Sequence, residues 1–178
     1  MPDQPIVHSR ALRLCALGLL IQRGPQRYAE LARDVRSFIA HFVGPAPEMM
    51  ATSLELLRYD GLIETADDGA SDSALLRITD SGRTAFIDMM AAALRVPGSE
   101  LNRLMIALKL RFLYLLPADR QRQQLTALAD LQRRDLARLE ALRLQYADEP
   151  GLLAVWIEHD IAQSEQRLAW LHTLLQTA

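Results

Sequence analysis

Apolar side chains recur every three or four residues in three successive stretches of the first 60 positions. This spacing places apolar side chains on one face of a helix, so it predicts three amphipathic helices that share a core. The predicted helices span about residues 9–23, 26–41 and 47–60. Glycine and proline at 24–25 and 44–47 separate them, because these residues interrupt helices. Gly61 is expected to end the third helix in a left-handed conformation.

The pattern changes from helical spacing to short apolar runs after Gly61. Residues 62–65 and 74–78 predict two strands joined by a polar loop, and three helices followed by such a hairpin describe a winged helix. Thr79 is expected to cap a fourth helix that continues to about residue 94. Val96-Pro97-Gly98 then marks a boundary, so we predict a winged helix-turn-helix domain over residues 1–95, with a two-stranded wing.

Residues 99–178 are predicted to form a C-terminal helical domain, which makes the fold mainly α. A fifth helix, to about residue 116, is apolar on nearly every side, which suits burial between other elements. Two long amphipathic helices joined by a tight turn follow and predict an antiparallel hairpin. One chain has too little surface to cover both apolar stripes, so the hairpin is expected to be a dimerisation module. The predicted interface consists of Ile157, Ile161, Leu168, Trp170, Leu171 and Leu175.

The composition is typical of a globular protein of a reducing compartment. Cys15 is the only cysteine, so one chain can form neither a disulfide framework nor a thiolate zinc cluster. The most apolar segment, residues 101–116, is interrupted by Arg103, Lys109 and Arg111, and no membrane span is predicted. We therefore expect a cytoplasmic protein.

Catalytic and metal-binding residues have only weak candidates. The four histidines are scattered along the chain, and Asp67, Asp68 and Asp72 lack the following bidentate glutamate of a calcium loop. A pair of Cys15 and His41 would have no oxyanion hole and no orienting carboxylate by motif. Neither an enzyme nor a bound cofactor or metal is expected.

Short motifs follow one another along both halves of the chain. In the N-terminal half they are Ala16-Leu17-Gly18-Leu19-Leu20, Tyr28-Ala29-Glu30-Leu31, Leu57-Arg58-Tyr59-Asp60-Gly61-Leu62-Ile63 and Ile78-Thr79-Asp80-Ser81-Gly82-Arg83. In order, they resemble the PadR family of transcriptional regulators. The C-terminal half is similar to the subgroup of that family whose C-terminal module is named for a virulence activator. The matching stretches are Leu108-Lys109-Leu110-Arg111-Phe112, Leu115-Leu116-Pro117 and Glu165-Gln166-Arg167-Leu168-Ala169-Trp170-Leu171.

The resemblance implies a homodimeric regulator that binds DNA through a winged helix. The paired C-terminal modules would set the spacing between two winged helices over an inverted-repeat operator. The chain departs from the family where the third helix opens with Ala46-Pro47-Glu48-Met49-Met50-Ala51-Thr52. The family typically has serine-proline-glycine-threonine-leucine-tyrosine-proline there, and only the proline is shared.

Seven residues are candidates for contact with double-stranded DNA. In a winged helix, third-helix residues reach base edges, whereas the second helix and the wing touch phosphate. The candidates are Met49, Thr52, Ser53 and Arg58 on the third helix, Arg33 and Arg36 on the second, and Arg77 on the wing. The alternative is that these are ordinary solvated arginines beside a fairly neutral helix surface.

The charge of the N-terminal half does not favour DNA binding. Residues 1–92 contain nine basic and twelve acidic side chains, a net charge of −3, whereas nucleic-acid binders usually carry a basic face. One alternative function is therefore a winged-helix protein-interaction module that has lost DNA binding. Another is a small-molecule sensor, in which Trp156 and Trp170 line a cavity for an apolar effector. The same tryptophans also suit packing in an interface.

Overall fold

The computed structural model of the chain describes residues 4–43, 50–67, 74–94 and 100–177. Within these ranges the chain is mainly helical, as predicted, with a small antiparallel sheet. The helices are α1 (Gln4–Arg23), α2 (Tyr28–Val43), α3 (Met50–Tyr59), α4 (Asp80–Ala91), α5 (Glu100–Phe112), α6 (Ala118–Gln145) and α7 (Leu153–Thr177). The strands are β1 (Gln26–Arg27), β2 (Ile63–Thr65) and β3 (Leu75–Ile78), and a 3-10 helix covers Leu113–Leu115. Two compact units result: α1 to α5 with the sheet, and α6 with α7.

The first unit is built around α1. Its side chains from Leu14 to Leu20 are all buried, because α2, α3, α4 and α5 pack against this helix. Leu54 and Leu57 of α3 and Phe86 of α4 complete the same core. Three helices, a hairpin and a fourth helix are present in the predicted order, which confirms the winged helix.

The sheet has three strands in the order β1-β3-β2, one more than the predicted wing. In the β2–β3 hairpin, Glu64 lies opposite Arg77. The additional strand β1 covers only Gln26 and Arg27, which the sequence pattern had placed at the start of the second helix. The reason for the error is physical: a two-residue strand has no periodicity of its own and forms only because β3 provides its hydrogen-bonding partners.

The predicted end of the third helix and the predicted start of the fourth are both confirmed. Gly61 has a φ of 69°, and Leu62 N–H donates to the carbonyl of Leu57 while Gly61 N–H donates to that of Arg58, at 2.9 and 3.0 Å. This pair of bonds satisfies carbonyls at the end of α3. Thr79 caps α4, since its hydroxyl accepts from Gly82 N–H at 3.0 Å.

Helix α5 packs against α1 and α2 in the first unit, whereas the sequence prediction had included it in the C-terminal domain of residues 99–178. The side chain of Phe112 is buried, and an added Cβ on Gly18 of α1 would come within 2.5 Å of its ring. The absence of a side chain on Gly18 therefore lets the two helices approach closely. Arg111 places its guanidinium 4.5 Å from the centre of the Phe38 ring on α2, a cation–π distance.

The second unit is an antiparallel hairpin of α6 and α7, as predicted. Its core contains Leu139 of α6 and Ile157 and Ile161 of α7. Gln132 Nε2 donates to Ser164 Oγ at 2.6 Å, which satisfies two polar groups inside the hairpin. Among the described residues, no helix combines the length and the apolar character needed to cross a membrane.

Candidate nucleic-acid interface and pairing surface

Helix α3 has one buried side and one exposed side. Leu54 and Leu57 are buried in the core, whereas Glu55, Leu56 and Tyr59 are exposed, and 89% of Tyr59 is accessible. The helix runs directly into β2, so its exposed C-terminal half lies beside the wing. A shallow cavity of about 450 Å³ separates the two elements and is lined by Glu55, Arg58, Tyr59, Ile63, Glu64 and Thr65.

The predicted phosphate-binding arginines are all on the surface of this unit. Arg33 and Arg36 are exposed on α2, Arg77 is exposed on β3, and Arg58 is partly exposed near the end of α3. Of the predicted base-reading residues, Met49 lies outside the described residues, and so do the side chains of Thr52 and Ser53. Direct base contact by these three residues stays a prediction.

Three of the four candidate arginines face a carboxylate of the same chain. Arg77 Nε lies 2.6 Å from Glu64 Oε1. One Nη of Arg58 lies 3.3 Å from Glu55 Oε2, and Arg33 Nε lies 3.6 Å from Asp34 Oδ1.

Arg36 differs from these three. Among the described residues, no carboxylate lies within ion-pair distance of its side chain. Exposed ion pairs contribute only about 0.2–1 kcal/mol, so the three paired arginines can be released by a competing anion.

Sequence reasoning named the cations of this surface but predicted neither their pairing with Glu55 and Glu64 nor the exposure of Tyr59. The register of a hairpin decides which residues lie opposite one another, and the pairing of Glu64 with Arg77 follows from that register. Glu55 and Arg58 are three residues apart on a helix, a spacing that indicates neighbouring side chains. The exposure of Tyr59 follows from its place opposite Leu54 and Leu57 on α3.

The predicted pairing residues of α7 lie on different sides of the helix. Ile157, Ile161 and Leu171 are buried within the chain, and Leu168 and Leu175 are partly exposed. Trp170 is half-exposed and keeps free apolar surface. The apolar residues of α7 that recur every three or four positions face α6 for much of the helix. The buried ones are therefore already covered before a partner binds.

A second set of apolar side chains on α7 remains accessible. Val155 is 64% exposed, Trp156 56% and Trp170 50%, and Leu152 precedes the helix at 81%. Trp156 and Trp170 are fourteen residues apart, close to four helical turns, so they share one face. This group, which we call the tryptophan face, is an apolar surface of the hairpin that a partner could still cover.

Cys15 is unsuited to nucleophilic chemistry in this structure. It is fully buried on α1, and burial raises the pKa of its thiol to about 12. At neutral pH the side chain is therefore a neutral thiol, the unreactive form.

Comparisons with known proteins find one family model and several solved structures that match most of the chain. A family model described as "Putative AphA-like transcriptional regulator" matches residues 1–175. The chain is similar to Bacillus subtilis PadR in complex with operator DNA, at 18% identity over 93% of this chain and 98% of that one, with a TM-score of 0.37. The complex of Bacillus subtilis PadR with p-coumaric acid matches at 18% identity over 95% of this chain and 96% of that one, with a TM-score of 0.38. The chain is also similar to smu.1604c from Streptococcus mutans UA159, at 18% identity over 92% of this chain and 98% of that one, with a TM-score of 0.38. No curated protein sequence matches the chain.

Proposed function

The chain belongs to the AphA-like family of transcriptional regulators, and from this membership we propose that it is a homodimeric regulator that binds DNA. In this proposal α3 reads base edges of an inverted-repeat operator, and α2 and the wing hold the phosphate backbone. The observation that supports it best is the placement of α3, which buries Leu54 and Leu57 and leaves its other side exposed beside the wing. The major groove of DNA accepts an α-helix presented in this way.

The proposal assigns different tasks to the arginines. Arg36 is exposed without a carboxylate partner among the described residues, so it is the cation most available to a phosphate. Of the paired arginines, Arg77 contacts phosphate after leaving Glu64, and at most one of Arg33 and Arg58 does so after leaving its carboxylate. Thr52, with Met49 and Ser53, discriminates between bases.

Pairing of two chains through the tryptophan face gives the regulator its two-fold symmetry. Large aromatic side chains are favoured anchors of interfaces, because they bury much apolar area with little loss of side-chain entropy. A symmetric dimer presents two winged helices to the two halves of an inverted repeat. Such a regulator, with one unpaired cysteine, acts in the cytoplasm.

DNA binding is expected to be weak and strongly dependent on salt. With two to three phosphate contacts per subunit, a plot of log affinity against log salt should have a slope of roughly −4 to −6 for the dimer. Fluorescence anisotropy with the upstream region of its own gene and with scrambled DNA, at low and at physiological salt, measures both slope and preference. Replacement Arg36→Ala should weaken binding to all sequences alike and flatten the slope by about two, since each dimer loses two contacts.

Arg134→Ala is the matched control for Arg36→Ala. It removes the same charge from an exposed position of α6 in the hairpin, where the proposal places no DNA. Its affinity and slope should equal those of the wild type. Absence of any sequence preference at either salt, in a protein shown to be a dimer, would contradict the regulator proposal.

Removal of the tryptophan face is expected to separate the dimer. Exchange of both Trp156 and Trp170 for glutamine removes two interface anchors from exposed positions, so the hairpin should keep its helices while the dimer dissociates at micromolar concentration. Light scattering gives the mass, and circular dichroism checks the fold. Ile87→Gln, at an exposed apolar position of α4, is the control that should stay dimeric. A folded wild type that is monomeric at micromolar concentration would show that the pairing proposal is wrong.

A protein-interaction module without DNA binding is the second candidate function. The observation that favours it is the pairing of Arg58 and Arg77 with carboxylates of the same unit, whereas Asp34 beside Arg33 also pairs with Arg23. An exposed surface with balanced charges suits contact with another protein better than contact with a phosphate backbone. The same anisotropy experiment separates the two candidates, because only the regulator distinguishes its operator from scrambled DNA.

A further inference from the structure

The wing carries a close ion pair between two exposed side chains. Glu64 on β2 and Arg77 on β3 are register partners in the hairpin, and Arg77 Nε lies 2.6 Å from Glu64 Oε1. About half of each side chain is accessible, 48% of Glu64 and 56% of Arg77. Neighbouring strands hold the two residues opposite each other, so little conformational freedom is lost when the pair forms.

A second acid–base pair lies across the cavity from the first. Glu55 and Arg58 of α3 pair at 3.3 Å, and both line the cavity that Glu64 also borders. The two pairs together have no net charge, although they lie between the helix and the wing that the proposed function presents to DNA. A phosphate that approaches this surface meets a carboxylate beside each of these two arginines.

We propose that Glu64 is an autoinhibitory residue of the DNA-binding surface, which competes with DNA phosphate for Arg77. This inference rests on the proposed function, because it assigns a regulation to the same surface. A phosphate oxygen and the Glu64 carboxylate both accept charge-assisted hydrogen bonds from a guanidinium. Arg77 donates to Glu64 from Nε, and its charge is fully available to a phosphate only when that bond is weakened or given up. Glu64 thereby lowers the affinity of the free protein for any DNA.

Glu64→Gln tests the proposal, because it removes the charge and keeps the size and an acceptor oxygen. Two exposed pairs per dimer, each worth about 1.4- to 5-fold in an equilibrium constant, predict an affinity gain of about 2- to 30-fold for operator and scrambled DNA alike. The salt slope should stay near that of the wild type, because Arg77 contacts phosphate in both proteins and only the cost of leaving Glu64 is removed. Anisotropy titrations over a salt series measure both quantities, and thermal unfolding should show a melting temperature within a few degrees of the wild type.

Two further variants separate competition for Arg77 from a general effect of charge. Asp88→Asn removes one negative charge from an exposed position of α4, where no ion pair with an arginine is described, and should leave affinity and slope nearly unchanged. In an Arg77→Gln background, Glu64→Gln should no longer raise the affinity, because the cation it releases is absent. A gain that persists in this background would overturn the proposal, since it would come from simple repulsion of phosphate.

The remaining outcomes distinguish this inference from the proposed function. If the wild type prefers its operator and Glu64→Gln binds equally or more weakly, Glu64 is not a competitor, and the regulator proposal stands without it. If the wild type shows no sequence preference but Glu64→Gln gains affinity through Arg77, the competition is confirmed and the regulator proposal fails. If neither protein binds DNA at low salt, both are wrong.

Discussion

Replacement of Gly82 by alanine is expected to destabilise the first unit by about 3 kcal/mol or more. A Cβ built on Gly82 lies 2.0 Å from the carbonyl oxygen of Leu62 and 2.7 Å from Cγ1 of Ile78. The oxygen belongs to the backbone and cannot rotate away as a flexible side chain would. It also accepts a hydrogen bond from Thr79 N–H at 3.1 Å, and it shares the Thr79 Oγ1 proton, at 3.1 Å, with the carbonyl of Gly61. Urea unfolding followed by circular dichroism measures the loss.

Ser81→Ala is the matched control, because the neighbouring residue is exposed on the same first turn of α4. It should change the unfolding free energy by no more than about 0.5 kcal/mol. In an unconstrained helix, alanine in place of glycine stabilises by roughly 0.5–1 kcal/mol. A Gly82→Ala variant as stable as the wild type would therefore show that α4 and the backbone at Leu62 can move apart at no cost.

The contact at Gly82 explains a motif that sequence reasoning could only recognise. Thr79 caps α4, and its hydroxyl also donates to the carbonyl of Gly61 at 2.7 Å. Gly82 then permits the start of α4 to lie directly on Leu62. Thr79 and Gly82, three residues apart, thus both contact the turn that ends the third helix, at Gly61 and Leu62. Local signals of this kind, together with helical periodicity, made the order of elements predictable.

Features that depend on distant partners were not predictable in the same way. The apolar pattern of α5 indicates burial, but it does not specify which helices cover it. Its packing on α1 depends on Gly18 meeting Phe112, a contact between residues that are far apart in sequence. β1 depends in the same way on β3. The stripe of α7 likewise predicts an apolar face, and the structure shows that α6 covers Ile157 and Ile161.

The arginines of the candidate site could be predicted from the sequence, whereas the carboxylates that pair with them could not. Arg33, Arg36 and Arg77 were named because a winged helix exposes those positions, and the structure places all three on the surface. A count of charges over the N-terminal half could not show that Glu64 lies directly beside Arg77. The position of each carboxylate relative to each arginine, more than the net charge, determines how much cation is available to DNA.

Two buried ionisable side chains in the first unit have opposite effects on its stability at alkaline pH. Lys109 of α5 is 2% exposed and donates from Nζ to the backbone carbonyl of Met90 at the end of α4. Burial, reinforced by Arg10, lowers its pKa from 10.5 to about 8. Cys15 is buried on α1, and burial raises the pKa of its thiol from 9.0 to about 12. Each burial disfavours the charged form.

The unfolding free energy is expected to rise between pH 8 and 9 and to stay level from pH 9 to 10.5, before it falls above pH 10.5. Between pH 8 and 10.5 the unfolded chain binds a proton on Lys109 that the folded protein has lost, so stability increases by about 1.4 kcal/mol per pH unit. Between pH 9 and 12 the folded protein keeps the Cys15 proton that the unfolded chain has lost, so stability decreases at the same rate. Where the intervals overlap, the two effects cancel. Chemical denaturation at closely spaced pH values measures the profile.

Two single variants should separate the contributions, because each removes one titrating group and leaves the other in place. Lys109→Met should abolish the rise, so that stability is level up to pH 9 and then falls. Cys15→Ala leaves a small cavity that lowers stability at every pH. The stability of this variant should rise over the whole interval from pH 8 to 10.5, by about 3 kcal/mol, and should stay level above pH 10.5. A wild-type profile that is unchanged by Lys109→Met would show that this ammonium group is as well solvated in the folded protein as in the unfolded chain. The contact of Lys109 with Met90 would then have to open to water, and α5 would be less firmly attached to α4 than its buried side chains indicate.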